Sequence, residues 1–269
     1  MRKYLILLIF LCCSTLVIDG QHLCRINVAS WNIGHFALGK KSDTKVSYAE
    51  SEARKKAYRK LFNQVDADIL CLLEYNPNFV NATDSTPAVI ARDAILSNYR
   101  DAEIGNKYKY NCNAVFSNGI KILKTEEVMF KVMVQTRYYL VVTAFLDGDV
   151  IKIVSTHLDW SEGPHGNEYR AMQIKELIDH FQNDKYVIIC GDWNANNGNE
   201  YDPFLNAGYN MANHGSLGDV MTCPAGEQPK SPCDNIIAKG FSFNNVTFQN
   251  RADLTDHMMI QACLTKITK

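Results

Sequence analysis

The sequence has 269 residues, of which 46% are hydrophobic and 21% charged, and this composition suits a globular protein with a sizeable core. The formal net charge of −1 excludes a positive field that would draw the whole chain onto polyanions, so any nucleic-acid contact has to be local. No Pro/Gly/Ser-rich linker, internal repeat or low-complexity segment divides the chain, and one large domain is therefore expected.

The first residues have the pattern of an export signal. Met1, Arg2 and Lys3 form a basic end, and an apolar run of signal-peptide length follows from Tyr4 to Val17. Polar residues at positions 19–21 interrupt the run before it reaches the roughly 20 apolar residues that a membrane span requires. We expect residues 1–20 to be a signal peptide, residues 21–269 to be a single domain, and the mature protein to be secreted or periplasmic.

Short apolar strands alternate with helical patterns along the rest of the chain. Runs rich in Val, Ile, Leu and Tyr predict strands at Cys24–Trp31, Asp68–Leu73, Ala114–Ser117, Tyr138–Leu146, Val150–Thr156, Tyr186–Cys190, Asn235–Ala238 and Met258–Leu264. Helical periodicity fits Tyr48–Val65, Ala88–Asn98 and Glu168–Phe181. The segment Asp147-Gly148-Asp149 predicts a hairpin between two of the strands, which favours antiparallel or mixed sheets. Two packed sheets flanked by helices accommodate these elements.

Polar residues collect just past the ends of the apolar strands, where a core strand delivers side chains to a cleft. The six segments are Ser30-Trp31-Asn32-Ile33-Gly34, Leu72-Leu73-Glu74-Tyr75-Asn76, Ser155-Thr156-His157-Leu158-Asp159, Cys190-Gly191-Asp192-Trp193-Asn194, Cys233-Asp234-Asn235-Ile236-Ile237 and Leu254-Thr255-Asp256-His257. Any one of them is explained by a turn, because Asp, Asn and Gly favour turns through local hydrogen bonds. Six together indicate a functional site.

The residue types at these strand ends indicate phosphoester chemistry with a hard metal ion. Five of them offer carboxylate or amide oxygens, the ligands that Mg²⁺ or Mn²⁺ prefers: Asn32, Glu74, Asp192, Asn194 and Asp256. Two histidines, His157 and His257, follow different strands and can exchange protons with the oxygens of a phosphoryl centre. Together they predict a metal-dependent phosphoester hydrolase.

With these motifs in this order, the chain resembles the endonuclease/exonuclease/phosphatase superfamily. The family pattern reads W-N, a Glu after an apolar strand, T-H-L, G-D-x-N, D-x-I and T-D-H, and all six motifs lie between Trp31 and His257. The resemblance spans essentially the whole predicted mature chain. It implies an α/β (α+β type) fold, a four-layer sandwich of two mixed, mostly antiparallel β-sheets flanked by helices.

The resemblance also assigns expected metal and phosphate contacts. Glu74 is expected to be the principal ligand of Mg²⁺ or Mn²⁺, with Asn32 and Asp256 beside it. Asp192 and Asn194 are expected to face the phosphate. An in-line displacement at phosphorus needs little covalent work from the protein, so a cation and well-placed donors supply most of the stabilisation.

Three further catalytic roles follow from the same resemblance. Asp234 is expected to orient the ring of His257, which polarises or deprotonates the attacking water. His157 and Asn194 are expected to donate hydrogen bonds to the phosphoryl oxygens as charge builds. A carboxylate paired with a histidine fixes the tautomer of the imidazole and stabilises its charged form.

Two departures from the family pattern bear on the substrate. Leu73 stands where many members have Gln before the metal-binding Glu, and Gly34 stands where several nucleases have an acidic residue. These departures argue against the DNA-repair branch and against a second metal. The loop from Met221 to Cys233 has no Phe, Trp or Tyr, which argues against docking on a bilayer and against stable membrane insertion.

The favoured function is therefore a secreted, nuclease-like phosphodiesterase, a monomer whose partner is a phosphoester substrate such as nucleic acid. The alternatives are a phosphatase of soluble sugar or inositol phosphates and a sphingomyelinase-like phospholipase. A rival of another class is a binding scaffold that has lost its chemistry, and the presence of every motif residue disfavours it.

Three structural expectations complete the interpretation. Cys223 and Cys233 bracket a turn-rich stretch and predict a disulfide, with two free thiols as the alternative. Arg170 is expected on a solvated helix face rather than in the site. The histidines without partner spacing are expected to be solvated: His22, His35, His165, His180 and His214.

Overall fold

Two six-stranded sheets form the centre of the computed structural model, which describes residues 25–36, 47–77, 91–106 and 111–267. The first sheet has the spatial order β11 (Phe241–Gln249), β12 (Met259–Lys266), β1 (Arg25–Asn32), β2 (Ile69–Tyr75), β4 (Cys112–Ser117) and β3 (Asp101–Ile104). The second has the order β5 (Lys121–Met129), β6 (Tyr138–Leu146), β7 (Asp149–His157), β8 (Val187–Asp192), β10 (Asp234–Lys239) and β9 (Asn210–Met211). The expected signal peptide lies outside the described residues.

Each sheet contains one parallel pair among antiparallel ones. Strands β1 and β2 run parallel in the first sheet, and β7 and β8 run parallel in the second. The predicted hairpin joins β6 to β7 through Asp147 and Gly148, whose φ angles are 46° and 83°. Two consecutive left-handed residues form the tight turn whose twist matches a hairpin, and glycine adopts this conformation without steric cost. The prediction of mixed, mostly antiparallel sheets is confirmed.

Helices cover the outer face of each sheet and complete four layers. Helices α1 (Tyr48–Phe62) and α2 (Ala91–Ile95) pack on the first sheet, and α3 (Gly163–His180) and α4 (Asp202–Asn206) pack on the second. Alternate residues of the central strands face opposite layers, since Ile69 and Cys71 of β2 join the core between the sheets while Leu70 and Leu72 join the helix-covered core. The predicted four-layer sandwich is confirmed. No helix in the described part of the chain is long and apolar enough to cross a membrane.

The four strands that the sequence did not predict are the four edges of the two sheets: β3, β5, β9 and β11. An edge strand is open to solvent and often charged, so it lacks the continuous apolar run of a central strand. Lys121, Lys124 and Glu126 of β5 illustrate this. Helix α3 also begins five residues before the predicted Glu168, because Pro164 favours the first turn of a helix.

Arg170 does not lie on a solvated helix face, so this prediction is wrong. Its side chain on α3 is 1% exposed, and its Nε atom donates to Glu200 Oε2 at 2.7 Å. Its Nη1 atom donates to the backbone oxygen of Ser161 at 3.2 Å. Arg170 thus links α3 to the loop that follows His157 and to the segment that precedes α4.

His214 is not simply solvated either. Its Nδ1 atom lies 2.6 Å from Asp219 Oδ1, and its Nε2 atom lies 3.0 Å from Asp202 Oδ1. Burial alone would lower the pKa of His214, but hydrogen bonds to the two carboxylates raise it. The imidazole therefore connects the start of α4 to the turn around Asp219.

His165 is exposed as predicted, and His22 lies outside the described residues.

Replacing Arg170 by Met should lower the free energy of unfolding by about 3 kcal/mol, because it leaves the partner carboxylate of Glu200 without its cation in a largely buried place. The matched control is Lys175→Met on the same helix, where Lys175 and Asp179 form an exposed ion pair. That change should cost less than about 1 kcal/mol. Denaturant unfolding of both variants measures the difference, and equal losses would contradict the structural role of Arg170.

Candidate active site

Strand direction brings the predicted site residues to one edge of the sandwich. The parallel pairs end together, with Asn32 of β1 opposite Leu73 of β2 and His157 of β7 opposite Asp192 of β8. Strand β10 runs antiparallel to β8, so Asp234 at its start lies opposite Asp192. Asn32 Nδ2 donates to Asp192 Oδ2 at 2.9 Å and so connects the two sheets.

The carboxylate of Asp192 is the centre of the site. Besides Asn32, it accepts a 2.9 Å hydrogen bond from the backbone nitrogen of Asn194 at Oδ1. Its Oδ2 atom lies 3.4 Å from His157 Nε2 and 3.6 Å from His257 Nε2. Burial alone would raise the pKa of Asp192, but the two imidazoles and the hydrogen bonds from Asn32 and Asn194 outweigh it and lower the pKa. The buried group is therefore a carboxylate.

Asn194 is held in a strained position next to Asp192. Its φ angle of 48° lies in the left-handed region, which costs a residue other than glycine on the order of 1 kcal/mol. Its Nδ2 atom donates to the backbone oxygen of Leu158 at 3.0 Å. This hydrogen bond and the one from the backbone nitrogen of Asn194 to Asp192 offset the strain. Together they fix the G-D-x-N segment against the T-H-L segment.

His257 and Asp234 form a buried pair. His257 Nδ1 lies 3.0 Å from Asp234 Oδ2, and the backbone oxygen of His257 accepts from Trp31 Nε1 at 2.9 Å. The backbone nitrogen of Asp234 donates to Thr222 Oγ1 at 3.0 Å. Burial alone would lower the pKa of His257, but the carboxylates of Asp234 and Asp192 raise it well above its usual value. Asp234 thus fixes the ring of His257 and favours its charged form.

His157 has the opposite electrostatic character. Burial, together with the nearby guanidinium of Arg137, lowers the pKa of His157 to about 3. The imidazole is therefore neutral at physiological pH. Its Nδ1 atom is buried, has no hydrogen-bond partner among the described residues, and lies 3.9 Å from Glu74 Oε1. A buried nitrogen without a partner is costly in a folded protein, so it indicates a place for a ligand.

Glu74 is presented by an irregularity near the end of β2. The register between β2 and β4 shifts between Leu72 and Tyr75, and Glu74 has a left-handed φ angle of 51°. Such bulges occur next to active sites, where they turn a side chain out of the regular alternation of a strand. Glu74 Oε2 lies 3.1 Å from His35 Nε2.

The contact with Glu74 corrects the prediction that His35 is solvated. His35 follows Asn32 by three residues, and its side chain is 18% exposed. Its place in the loop directly after the W-N motif was the only sequence signal for this contact. Glu74 itself is 39 residues further along the chain, so no local spacing relates the two residues.

Asp256 is the predicted metal ligand with the loosest connection to the others. It is exposed, and its Oδ1 atom lies 3.4 Å from Thr255 Oγ1. A Cβ atom added to Gly34 would lie 3.8 Å from the same oxygen, so Asp256 faces the turn that carries His35. Thr255 Oγ1 also donates to the backbone oxygen of Asn32 at 3.1 Å, which fixes the T-D-H segment against the W-N segment.

The donor set fits a divalent cation. Asp192, Asp234 and His257 each have a ligand atom within 4.8 Å of the others, the one such group of three in the described part of the chain. Asp234 and His257 are already engaged with each other, however, whereas the half-buried carboxylate of Glu74 faces the unpartnered Nδ1 of His157. Carboxylate and amide oxygens around these atoms are the ligands that a hard cation prefers.

Cys223 and Cys233 carry free thiols, so the predicted disulfide is not formed in the structure. The two thiols are neighbours but make separate contacts. Cys223 Sγ lies 3.6 Å from His257 Nε2, and the Cys233 thiol points to the backbone oxygen of Ala195 at 3.8 Å. The loop before Asp234 is instead fixed by backbone pairing between Cys223 and Ser231.

Two mixed sheets with acidic residues and imidazoles gathered at one edge define a metal-dependent phosphoester hydrolase. Residues 29–257 match the model of the endonuclease/exonuclease/phosphatase family, and the chain belongs to this family. A search of curated proteins finds no match to the sequence.

Solved structures share the fold at low sequence identity. D. rerio TDP2, humanized by 14 mutations, is 15% identical with a TM-score of 0.67, and the match covers 89% of this chain and 98% of that one. The human nocturnin catalytic domain with bound sulfate is 16% identical with a TM-score of 0.67, covering 90% and 94%. D. rerio TDP2 with a single-strand DNA product is 16% identical with a TM-score of 0.64, covering 89% and 98%.

Replacing His257 by Ala should reduce turnover of a phosphoester by about 10²- to 10⁴-fold while the protein remains folded, because the imidazole backed by Asp234 is lost. His165→Ala is the matched control, since His165 is exposed on α3, and it should leave turnover unchanged. Steady-state kinetics, with circular dichroism for the fold, measures both variants. Nearly full turnover in His257→Ala would contradict a catalytic role for this pair.

Proposed function

We propose that the protein is a secreted, nuclease-like phosphodiesterase that uses water to attack phosphorus in line with the leaving oxygen. The observation that carries the proposal is the approach of two buried imidazoles to one carboxylate oxygen. His157 Nε2 and His257 Nε2 lie 3.4 Å and 3.6 Å from Asp192 Oδ2, and Asp234 supports only the second. Two imidazoles with different partners suit different tasks in one reaction.

The chain's own residues divide the reaction between them. His257, oriented by Asp234, polarises the attacking water when charged or takes up its proton when neutral, and the water oxygen forms the new bond to phosphorus. Neutral His157 and the amide of Asn194 donate hydrogen bonds to the phosphoryl oxygens as negative charge builds on them. The bond from phosphorus to the leaving oxygen breaks, and that oxygen departs with the electron pair and takes up a proton.

In this proposal Glu74 is the principal ligand of Mg²⁺ or Mn²⁺, with Asn32 and Asp256 beside it. A divalent cation bound there would supply Lewis-acid stabilisation of charge at the phosphoryl group. The half-buried carboxylate of Glu74 and the unpartnered Nδ1 atom of His157 support this location. The amide of Asn32 is held in place at this location, because its Nδ2 atom donates to Asp192 and its Oδ1 atom accepts from the backbone nitrogen of Gly34.

Two surface features next to His157 favour nucleic acid as the substrate class. A pocket lies beside His157, and polar side chains and one cation line much of it: Asn111, Asn113, Gln135, Thr136, Arg137 and Tyr138. Trp160, three residues after His157, is 53% exposed. Its loop is fixed because Asp159 accepts from the backbone nitrogens of Val134 and Ser161, each at 2.9 Å. An exposed aromatic ring on the loop that follows His157 suits stacking by a base.

The similar fold of D. rerio TDP2, solved with a single-strand DNA product, also favours nucleic acid. Phosphate contacts are local, so the net charge of −1 is compatible with this substrate.

Export is supported by the basic and apolar pattern of residues 1–20. A phosphatase of soluble sugar or inositol phosphates, a sphingomyelinase-like phospholipase and an inactive scaffold are the alternative outcomes of the assay.

The test is one assay of the mature protein with Mg²⁺ or Mn²⁺ against plasmid DNA, RNA, sphingomyelin liposomes, inositol phosphates and a chromogenic diester, with Asp192→Ala as the blank. Cleavage of DNA or RNA is expected, and chelation should abolish it. Glu74→Ala should lower activity by about 10²-fold or more and shift the metal dependence to higher concentrations.

The control for Glu74→Ala is Glu176→Ala on α3, since Glu176 accepts a hydrogen bond from the backbone nitrogen of Lys131 rather than from a site residue, and it should leave activity unchanged. Efficient cleavage of sphingomyelin with nucleic acids untouched would replace the substrate assignment. Hydrolysis of inositol phosphates alone would favour the phosphatase. Binding without hydrolysis of any ester in the panel would favour the inactive scaffold and contradict the proposal.

A further inference from the structure

The segment after Asn32 has an unusual backbone. Gly34, His35 and Phe36 have φ angles of 49°, 55° and 62°, so three consecutive residues are left-handed. Glycine accepts this conformation freely, but each of the other two costs on the order of 1 kcal/mol. Strain of this kind persists only where surrounding contacts enforce it, and it clusters at functional sites.

Strong contacts hold this left-handed turn in place. The ring of Phe36 is fully buried and packs 5.0 Å from Tyr58 and 5.8 Å from Tyr75, centroid to centroid. Arg54 Nη1 donates to the backbone oxygen of Phe36 at 3.2 Å. The core therefore fixes the residue that follows His35, and the imidazole of His35 is presented to Glu74.

Glu74 consequently lies between two imidazoles. Its Oε2 atom is 3.1 Å from His35 Nε2, and its Oε1 atom is 3.9 Å from the unpartnered Nδ1 of His157. Asp256 faces the same turn from the side of Gly34. Core contacts of Phe36 hold the strained turn, and the turn places the imidazole of His35 beside the carboxylate of Glu74, where both groups can bind one cation.

We propose that His35 is a ligand of the divalent cation at Glu74, and that it adds one imidazole nitrogen to a site of oxygen ligands. This inference rests on the proposed metal position. Two neighbouring ligands with bonds of about 2.1 Å at a right angle lie about 3 Å apart, which agrees with the measured contact between His35 and Glu74.

The proposed ligand has a consequence for metal selection. Mg²⁺ prefers oxygen ligands. Mn²⁺ also binds oxygen but accepts an imidazole nitrogen more readily than Mg²⁺ does, and later transition ions favour imidazole strongly. The ratio of Mn²⁺ affinity to Mg²⁺ affinity should therefore be larger for the site with His35 than for the same site without His35. His35 is thus a residue that determines which metal the enzyme uses.

The experiment measures metal binding rather than activity. Chelator-treated protein is titrated with Mn²⁺ by electron paramagnetic resonance, Mg²⁺ affinity is obtained by competition, and nitrogen ligation is read from ¹⁴N couplings in the electron spin echo envelope of bound Mn²⁺. In His35→Gln the ¹⁴N coupling should be lost, Mn²⁺ affinity should fall by about tenfold, and Mg²⁺ affinity should change by less than about threefold. The matched control is His165→Gln on exposed α3, which should behave as the wild type.

Two outcomes would overturn the role of His35. The first is a ¹⁴N coupling that survives in His35→Gln and disappears in His157→Gln. The second is an equal loss of Mn²⁺ and Mg²⁺ affinity in His35→Gln, which would make His35 a positioning residue for Glu74. Failure of the proposed metal position is distinguishable, because Glu74→Ala would then bind Mn²⁺ as the wild type does. Thermal unfolding of each variant confirms that the protein is folded.

Discussion

The whole site depends on one buried carboxylate that joins the two sheets. Asp192 ends a central strand of the second sheet, accepts a hydrogen bond from Asn32 of the first, and faces both His157 and His257. An unpaired buried charge is expensive, and these partners stabilise Asp192 as an anion. Because each partner comes from a different strand end, the position of one carboxylate fixes the relative position of the candidate catalytic groups.

The fold explains why these groups meet. Two parallel pairs, β1 with β2 and β7 with β8, end at the same edge, and β10 begins there. Regular strands deliver side chains to the edge, but three residues around the site depart from regular backbone: His35, Glu74 and Asn194 are all left-handed. Core packing holds the turn that carries His35, and hydrogen bonds hold Asn194, so both kinds of contact direct polar side chains to one place.

The central features of this arrangement were predictable from sequence because they leave local signals. Inner strands are apolar on both faces, and polar residues at one end of six of them mark the edge: near the end of β1, β2, β7 and β8, and at or just before the start of β10 and β12. The outer strands were missed because exposure removes that signal, as Lys121 and Lys124 of β5 show. The contacts of Arg170 with Glu200 and of His35 with Glu74 were missed for another reason. Their partners are 30 and 39 residues away, and only the folded chain brings them together.

The central claim is that water, activated beside Asp192, attacks phosphorus. Hydrolysis of a phosphodiester in water enriched in ¹⁸O, with Mg²⁺ and with Asp192→Asn as the blank, tests it directly. Mass spectrometry of the products should find one ¹⁸O atom in the phosphate product and none in the alcohol. Label in the alcohol would mean that a carbon–oxygen bond breaks, and it would contradict the account.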